Sequence, residues 1–132
     1  MKLTISKFTR LILLVTILIM STQILSAQND VKNTILPGSW EGKLSANGMD
    51  LRVVINLKLV QKDSLTVTLD SPDQNATGIA AGPVIVENQK VTIKAPEING
   101  QYDGTVTSDS TMTGSWSQNG GTVPLDVKKK KM

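Results

Sequence analysis

Residues 51–59 read Leu51-Arg52-Val53-Val54-Ile55-Asn56-Leu57-Lys58-Leu59, with an apolar side chain at every odd position and Arg52, Asn56 and Lys58 among the even ones. Successive side chains of a strand point to opposite faces, so this segment buries one face and wets the other. Read literally, the alternation places Val53, Ile55 and Leu57 inside. Leu65, Val67 and Leu69 repeat the pattern against Ser64, Thr66, Thr68 and Asp70, as do Val91 and Ile93 against Lys90, Thr92 and Lys94, and then Val123, Leu125 and Val127. Turn-forming residues separate these runs at Asn47-Gly48, Lys62-Asp63, Asn88-Gln89, Ser108-Asp109 and Asn119-Gly120-Gly121. About eight strands are expected, over 38–46, 50–61, 64–70, 83–87, 90–95, 98–106, 111–117 and 121–128. The fold class is all-β, a small antiparallel meander closed into a lipocalin-like barrel, because closure covers one apolar face per strand and removes the sheet edges.

Glycines fall on the expected inward face at Gly42, Gly100, Gly104 and Gly114, where a narrow barrel needs close backbone approach. An outer-membrane barrel is disfavoured, since only the second strand reaches the roughly 9–11 residues needed to cross and the outer faces are polar where lipid demands apolar groups. Gly38-Ser39-Trp40 and Gly114-Ser115-Trp116 echo each other, which points to two indoles filling the interior. With Tyr102 they are the aromatics after residue 27, too few for a stacking surface for bases or sugars.

Lys2, Lys7 and Arg10 precede a run from Leu11 to Met20 that is apolar except for Thr16, followed by a polar break and Ser26-Ala27. This is the order of a secretory signal peptide, and the run is half the roughly 20 residues of a spanning helix. The expected organisation is signal peptide 1–27, N-terminal linker 28–37, barrel 38–128 and basic tail 129–132. The product is secreted or periplasmic, with no membrane span after cleavage. Three of the 14 basic residues lie in the signal, leaving 11 against 11 acidic ones. Four of those 11 form the run Lys128 to Lys131, so the body of the domain is net acidic and no nucleic-acid partner is expected. The terminal lysines read as a solvated end.

The chain contains no Cys and no His. A disulfide, a lipid-modified cysteine, a His general base and a His/Cys metal set are therefore excluded, and no cofactor is expected. Between Leu69 and Val84 the hairpin rhythm stops, and so long an irregular stretch is often functional. Asp70 and Asp73 in it match no EF-hand spacing, and no metal site is expected. The Pro72-Asp73-Gln74-Asn75 run reads as a turn capped by its own side chains, with Ile79 tucked into one barrel end. Candidate binding residues are Asp70, Asp73, Gln74, Asn75 and Ile79 from this stretch, with Trp40, Tyr102 and Trp116 from the interior.

The run Leu69-Asp70-Ser71-Pro72-Asp73-Gln74-Asn75-Ala76-Thr77-Gly78-Ile79, with Gly38-Ser39-Trp40-Glu41-Gly42-Lys43-Leu44 before it and Met112-Thr113-Gly114-Ser115-Trp116 after it, resembles the β-domain that precedes the catalytic domain in secreted Bacteroidetes-type α/β-hydrolases. The similarity spans about residues 36–128. The resemblance implies a β-barrel accessory module and export. It implies no activity, because the chain has neither a Gly-x-Ser-x-Gly elbow nor the His of a Ser-His-Asp triad. The expected function is a non-enzymatic, exported binding or interaction module presenting residues 70–83 to a protein, peptide or envelope partner. Two alternatives stand beside it. One is a lipocalin-like carrier of a small apolar ligand, since Gly38-Ser39-Trp40 resembles a lipocalin opening strand. The other is an orphan fragment of a secreted hydrolase.

Overall fold

The computed structural model describes residues 30–131; the expected signal peptide lies outside them. The described residues are all-β, with ten antiparallel strands: β1 (Gly38–Ala46), β2 (Met49–Gln61), β3 (Ser64–Ser71), β4 (Ala76–Ala81), β5 (Val84–Glu87), β6 (Lys90–Ala95), β7 (Gly100–Ser108), β8 (Thr111–Gln118), β9 (Gly121–Pro124) and β10 (Val127–Lys129). They form one sheet in the order β4-β3-β2-β1-β10-β8-β7-β6-β5, with β9 also on β8. Asn and Asp close the turns because their short polar side chains tolerate the left-handed region: Asn47, Asp63, Asn88 and Asn119 have φ of 53°, 65°, 56° and 50°.

Two corrections raise the strand count from eight to ten. The stretch 70–83 is not a loop: Pro72–Gln74 make one 3₁₀ turn, and Ala76–Ala81 then form β4 against β3, with Leu69 opposite Ile79. The expected strand 121–128 is interrupted at Leu125 and Asp126. Its register against β8 is unchanged across the break, Ser115 facing Pro124 and Met112 facing Val127. There Asp126 Oδ1 takes the Gly114 N–H at 3.2 Å, and the Leu125 N–H donates to the Gly114 carbonyl at 2.8 Å.

The expected closure is not present as a continuous ladder, since β4 and β5 stand at the two ends of the strand order. They are nevertheless consecutive in the chain, joined through Gly82 and a cis Pro83. The Gly82 N–H donates to the Lys94 carbonyl at 2.6 Å, and the Lys94 N–H to the Pro83 carbonyl at 3.2 Å. The path 76–87 thus pairs first with β3 and then with β6.

The alternation in β2 is realised. Val53, Ile55 and Leu57 are buried in one core with Val67, Leu69, Val91, Ile93, Met112, Leu125 and Val127, and the three aromatics among the described residues, Trp40, Tyr102 and Trp116, lie in the same cluster. Leu59 escapes the rule at 36% exposure, because β2 runs on past the core. Ile55 is fully buried, so Ile55→Ala is expected to cost about 2–5 kcal/mol in urea unfolding. The exposed Lys58→Ala should leave the midpoint unchanged.

The segment 28–37, expected as a linker, is part of the core where it is described. Val31–Ile35 form a π-helical turn, and Val31 and Leu36 are 4% and 0% exposed. The Leu36 carbonyl accepts the Trp40 indole N–H at 2.9 Å, and Asn33 donates to Asp63 at 2.7 Å in the β2–β3 turn. This segment plugs the end of the sheet that carries the 62–63, 88–89 and 108–110 turns. The expected tail is likewise partly ordered: Lys129 lies in β10 opposite Trp40, its Nζ donates to the Ile35 carbonyl, and it stands 4.9 Å from the centre of the Trp40 ring.

Candidate functional site

The opposite end of the sheet carries two corners of the same construction. Ser71-Pro72-Asp73-Gln74-Asn75 leads from β3 into β4, and Ala95-Pro96-Glu97-Ile98-Asn99 leads from β6 into β7. In each, proline starts a single 3₁₀ turn, which suits its fixed φ. Asparagine then ends the turn in the left-handed region, with its N–H on the proline carbonyl: Asn75 (φ 53°) at 3.1 Å and Asn99 (φ 51°) at 3.2 Å. Ser71 Oγ donates to Gln74 Oε1 at 2.9 Å in the first corner, so this turn is held by its own side chains.

Between the corners lies an open cavity of about 350 Å³. Its walls are aliphatic (Leu44, Leu51, Val53, Leu69, Ile79 and Ile98), with Trp116 at the side and Asp70, Ser71, Gln74 and Gln118 at the polar margin. Gln118 ties the walls together: its Oε1 accepts the Trp116 indole N–H at 3.0 Å, and its Nε2 donates to the Ile98 carbonyl at 3.0 Å. Gly100 makes this placement of the indole possible, because a β-carbon there would stand 2.5 Å from the ring.

Of the candidate residues, Asp70, Gln74, Ile79 and Trp116 meet at this cavity. The others do not. Asp73 turns outward onto Arg52, accepting its main-chain N–H at 2.8 Å and its guanidinium at 2.9 Å. Those bonds hold the Asp73 carboxyl below the usual carboxylate range, so near neutral pH it has no proton to give as a general acid. Asp70, at the cavity margin, has both oxygens engaged by the fold, Oδ1 accepting the Gly78 N–H at 2.8 Å and Oδ2 the Asn56 amide at 2.9 Å. Asn75 is a turn residue, and Trp40 and Tyr102 are fully buried. Among the described residues no group of three or more Asp or Glu is placed to hold a metal ion.

The sequence reading missed the second corner and the walls Leu44, Leu51 and Ile98. A signal for the corner was present: Pro96-Glu97-Ile98-Asn99 repeats the Pro-acid-x-Asn order of Pro72-Asp73-Gln74-Asn75. The most specific run in the hydrolase resemblance thus contains a local corner motif that this chain uses twice.

Tyr102 supplies a pH test of the core. Its hydroxyl is buried without a hydrogen-bond partner, and burial, with Asp126 adding, pushes its pKa well above the ordinary value of 10.0. The raised pKa stabilises the fold fully below the unfolded value, and this contribution is lost as pH rises above about 10. Since Tyr102 is the one tyrosine in the chain, ultraviolet absorbance reads it directly. Tyrosinate should appear only together with alkaline unfolding, and titration of the folded protein near pH 10 would contradict the burial.

Comparison with models of known protein families, with curated proteins and with solved structures gave no match.

Proposed function

We propose that the protein is an exported, non-catalytic binding module whose site is the cavity between the two proline corners. The observation that carries this reading is an apolar recess of about 350 Å³, within the usual size range for ligand sites, at the end opposite the N-terminal plug. Its aliphatic walls favour a neutral, branched or linear hydrocarbon group. An apolar side chain of a partner protein or peptide is the simplest occupant, since the recess opens to solvent. Export rests on the order of charge, apolar run and small residues over 1–27. A lipocalin-like carrier, holding its ligand deep in the barrel, is less well supported, because Trp40, Tyr102 and Met112 occupy that space.

The test uses 1-hexanol as a neutral probe, followed by amide and indole shifts in NMR. Saturable shifts are expected at Ile79, Ile98 and the Trp116 indole, and Ile98→Arg should abolish them while the spectrum stays dispersed. Shifts spread over the core, or centred on Trp40, would reject the cavity as the site.

We further read the sheet as working as a closed barrel, with the path 76–87 shared between β3 and β6 at Gly82–Pro83. Amide exchange decides this. The Gly82 and Lys94 amides should be protected to the level of β6 and β7; exchange at loop rates would mean that the sheet is open there.

A further inference from the structure

A second recess, of about 470 Å³, lies on the outer face of β1, β2 and β10. Lys43, Arg52, Lys128 and Lys130 line it, and Glu41 is the acidic residue among them. In register, Lys43 stands opposite Arg52, and Glu41 opposite Lys128. Like charges directly across a ladder weaken the sheet; here Asp73 lies on Arg52 and within electrostatic reach of Lys43, so one carboxylate serves two cations. Asp73 neutralises Arg52, leaving three lysines against Glu41.

Two of the C-terminal lysines, Lys128 and Lys130, present their side chains to this array, and Lys129 borders it through its backbone position between them. Lys129 turns to the opposite side, over Trp40 and onto the Ile35 carbonyl. The Lys130 N–H donates to the Ser39 carbonyl at 2.8 Å, which continues the pairing of β10 with β1. Lys128 and Lys130 therefore project on the same side, about 6.8 Å apart at strand spacing.

We propose that this face binds a linear phosphate-bearing polymer through its anionic backbone alone. Lysine engages phosphate as a point charge, and the one guanidinium already holds a carboxylate. Lys128 and Lys130 along the β10 path, with Lys43 on the neighbouring β1, suit successive anionic groups of an extended chain. Base recognition is not built in: the described aromatics Trp40, Tyr102 and Trp116 are all buried, which leaves no stacking platform. The recess also suits a chain laid into it better than a flat bilayer.

The experiment titrates the purified protein with inorganic polyphosphate and follows amide shifts by NMR. Shifts are expected at residues 41–43, 52 and 128–130, with affinity falling on the order of tenfold between 50 and 200 mM salt. Lys43→Ala combined with Lys128→Ala should weaken binding by roughly tenfold. Lys90→Ala combined with Lys94→Ala, which removes the same charge from exposed positions on β6, should leave it unchanged. Equal loss in both pairs would reduce the effect to general attraction and overturn the proposal. So would monophosphate at matched phosphate concentration moving the same amides as far, phosphatidylglycerol vesicles binding in place of the polymer, or no shift at low salt.

Discussion

Gly114→Val is expected to unfold most of the protein at room temperature. A β-carbon at Gly114 would stand 2.5 Å from the Asp103 carbonyl oxygen, 2.7 Å from the Tyr102 hydroxyl and 2.8 Å from the Gly104 α-carbon. Two of these obstacles are backbone in the central β7–β8 ladder, where Gly104 faces Gly114, and a ladder cannot yield as a side chain does. Overpacking into side chains commonly costs about 1–3 kcal/mol; with backbone in the way the loss should exceed that, against a typical total of about 5–15 kcal/mol. Far-UV circular dichroism and urea titration give the answer. At Gly104 the obstacle is the Tyr102 ring itself, 2.5 Å from the added carbon, so Gly104→Ala should be partly rescued by Tyr102→Leu, and Gly114→Val should not. A Gly114→Val protein with the parent's urea midpoint would refute the packing described for this pair.

Trp40→Ala is the second large effect. The side chain is fully buried, donates to the Leu36 carbonyl and carries Lys129 on its ring. Its removal should cost about 3–5 kcal/mol, and it should also release the N-terminal plug, since it connects that segment to β1 and β10 at once. Amide exchange at Leu36, whose N–H bonds to the Val31 carbonyl at 2.9 Å, should then rise more than at Ile93 in β6. Uniform acceleration across the sheet would mean that Trp40 acts only as core volume.

What the sequence made legible was whatever repeats along one strand or closes one turn. Val53, Ile55 and Leu57 declare their face by spacing alone, and the asparagines at 47, 88 and 119 declare their turns by the backbone region they tolerate. Strand β4 was hidden because Ala76-Thr77-Gly78-Ile79-Ala80-Ala81 is poor in β-formers; its pairing comes from β3, a partner the local sequence does not display. Val31 and Leu36 were unreadable for a related reason: isolated apolar residues carry no period, and only the open end of the sheet gives them a place. Val54 shows the limit of alternation, being 6% exposed on the face that the pattern assigns to solvent, in register between Glu41 and Asp70. Of the candidate residues, Asp70, Gln74 and Ile79 reached the cavity because one corner was conspicuous, and Trp116 because an indole on a strand reads as interior; the walls missed come from β1, β2 and the second corner, which only three-dimensional packing brings together.

The clasp of Lys129, Ile35 and Trp40 also fixes how the molecule can be mounted. Both described ends of the chain leave from the plugged side, while the proline corners face away. A tether, a reporter or a neighbouring domain joined at either described end would therefore hold the module by its base and keep the recess pointing outward. Grafted in tandem or onto a surface by those ends, the domain would keep the mouth of the recess unobstructed.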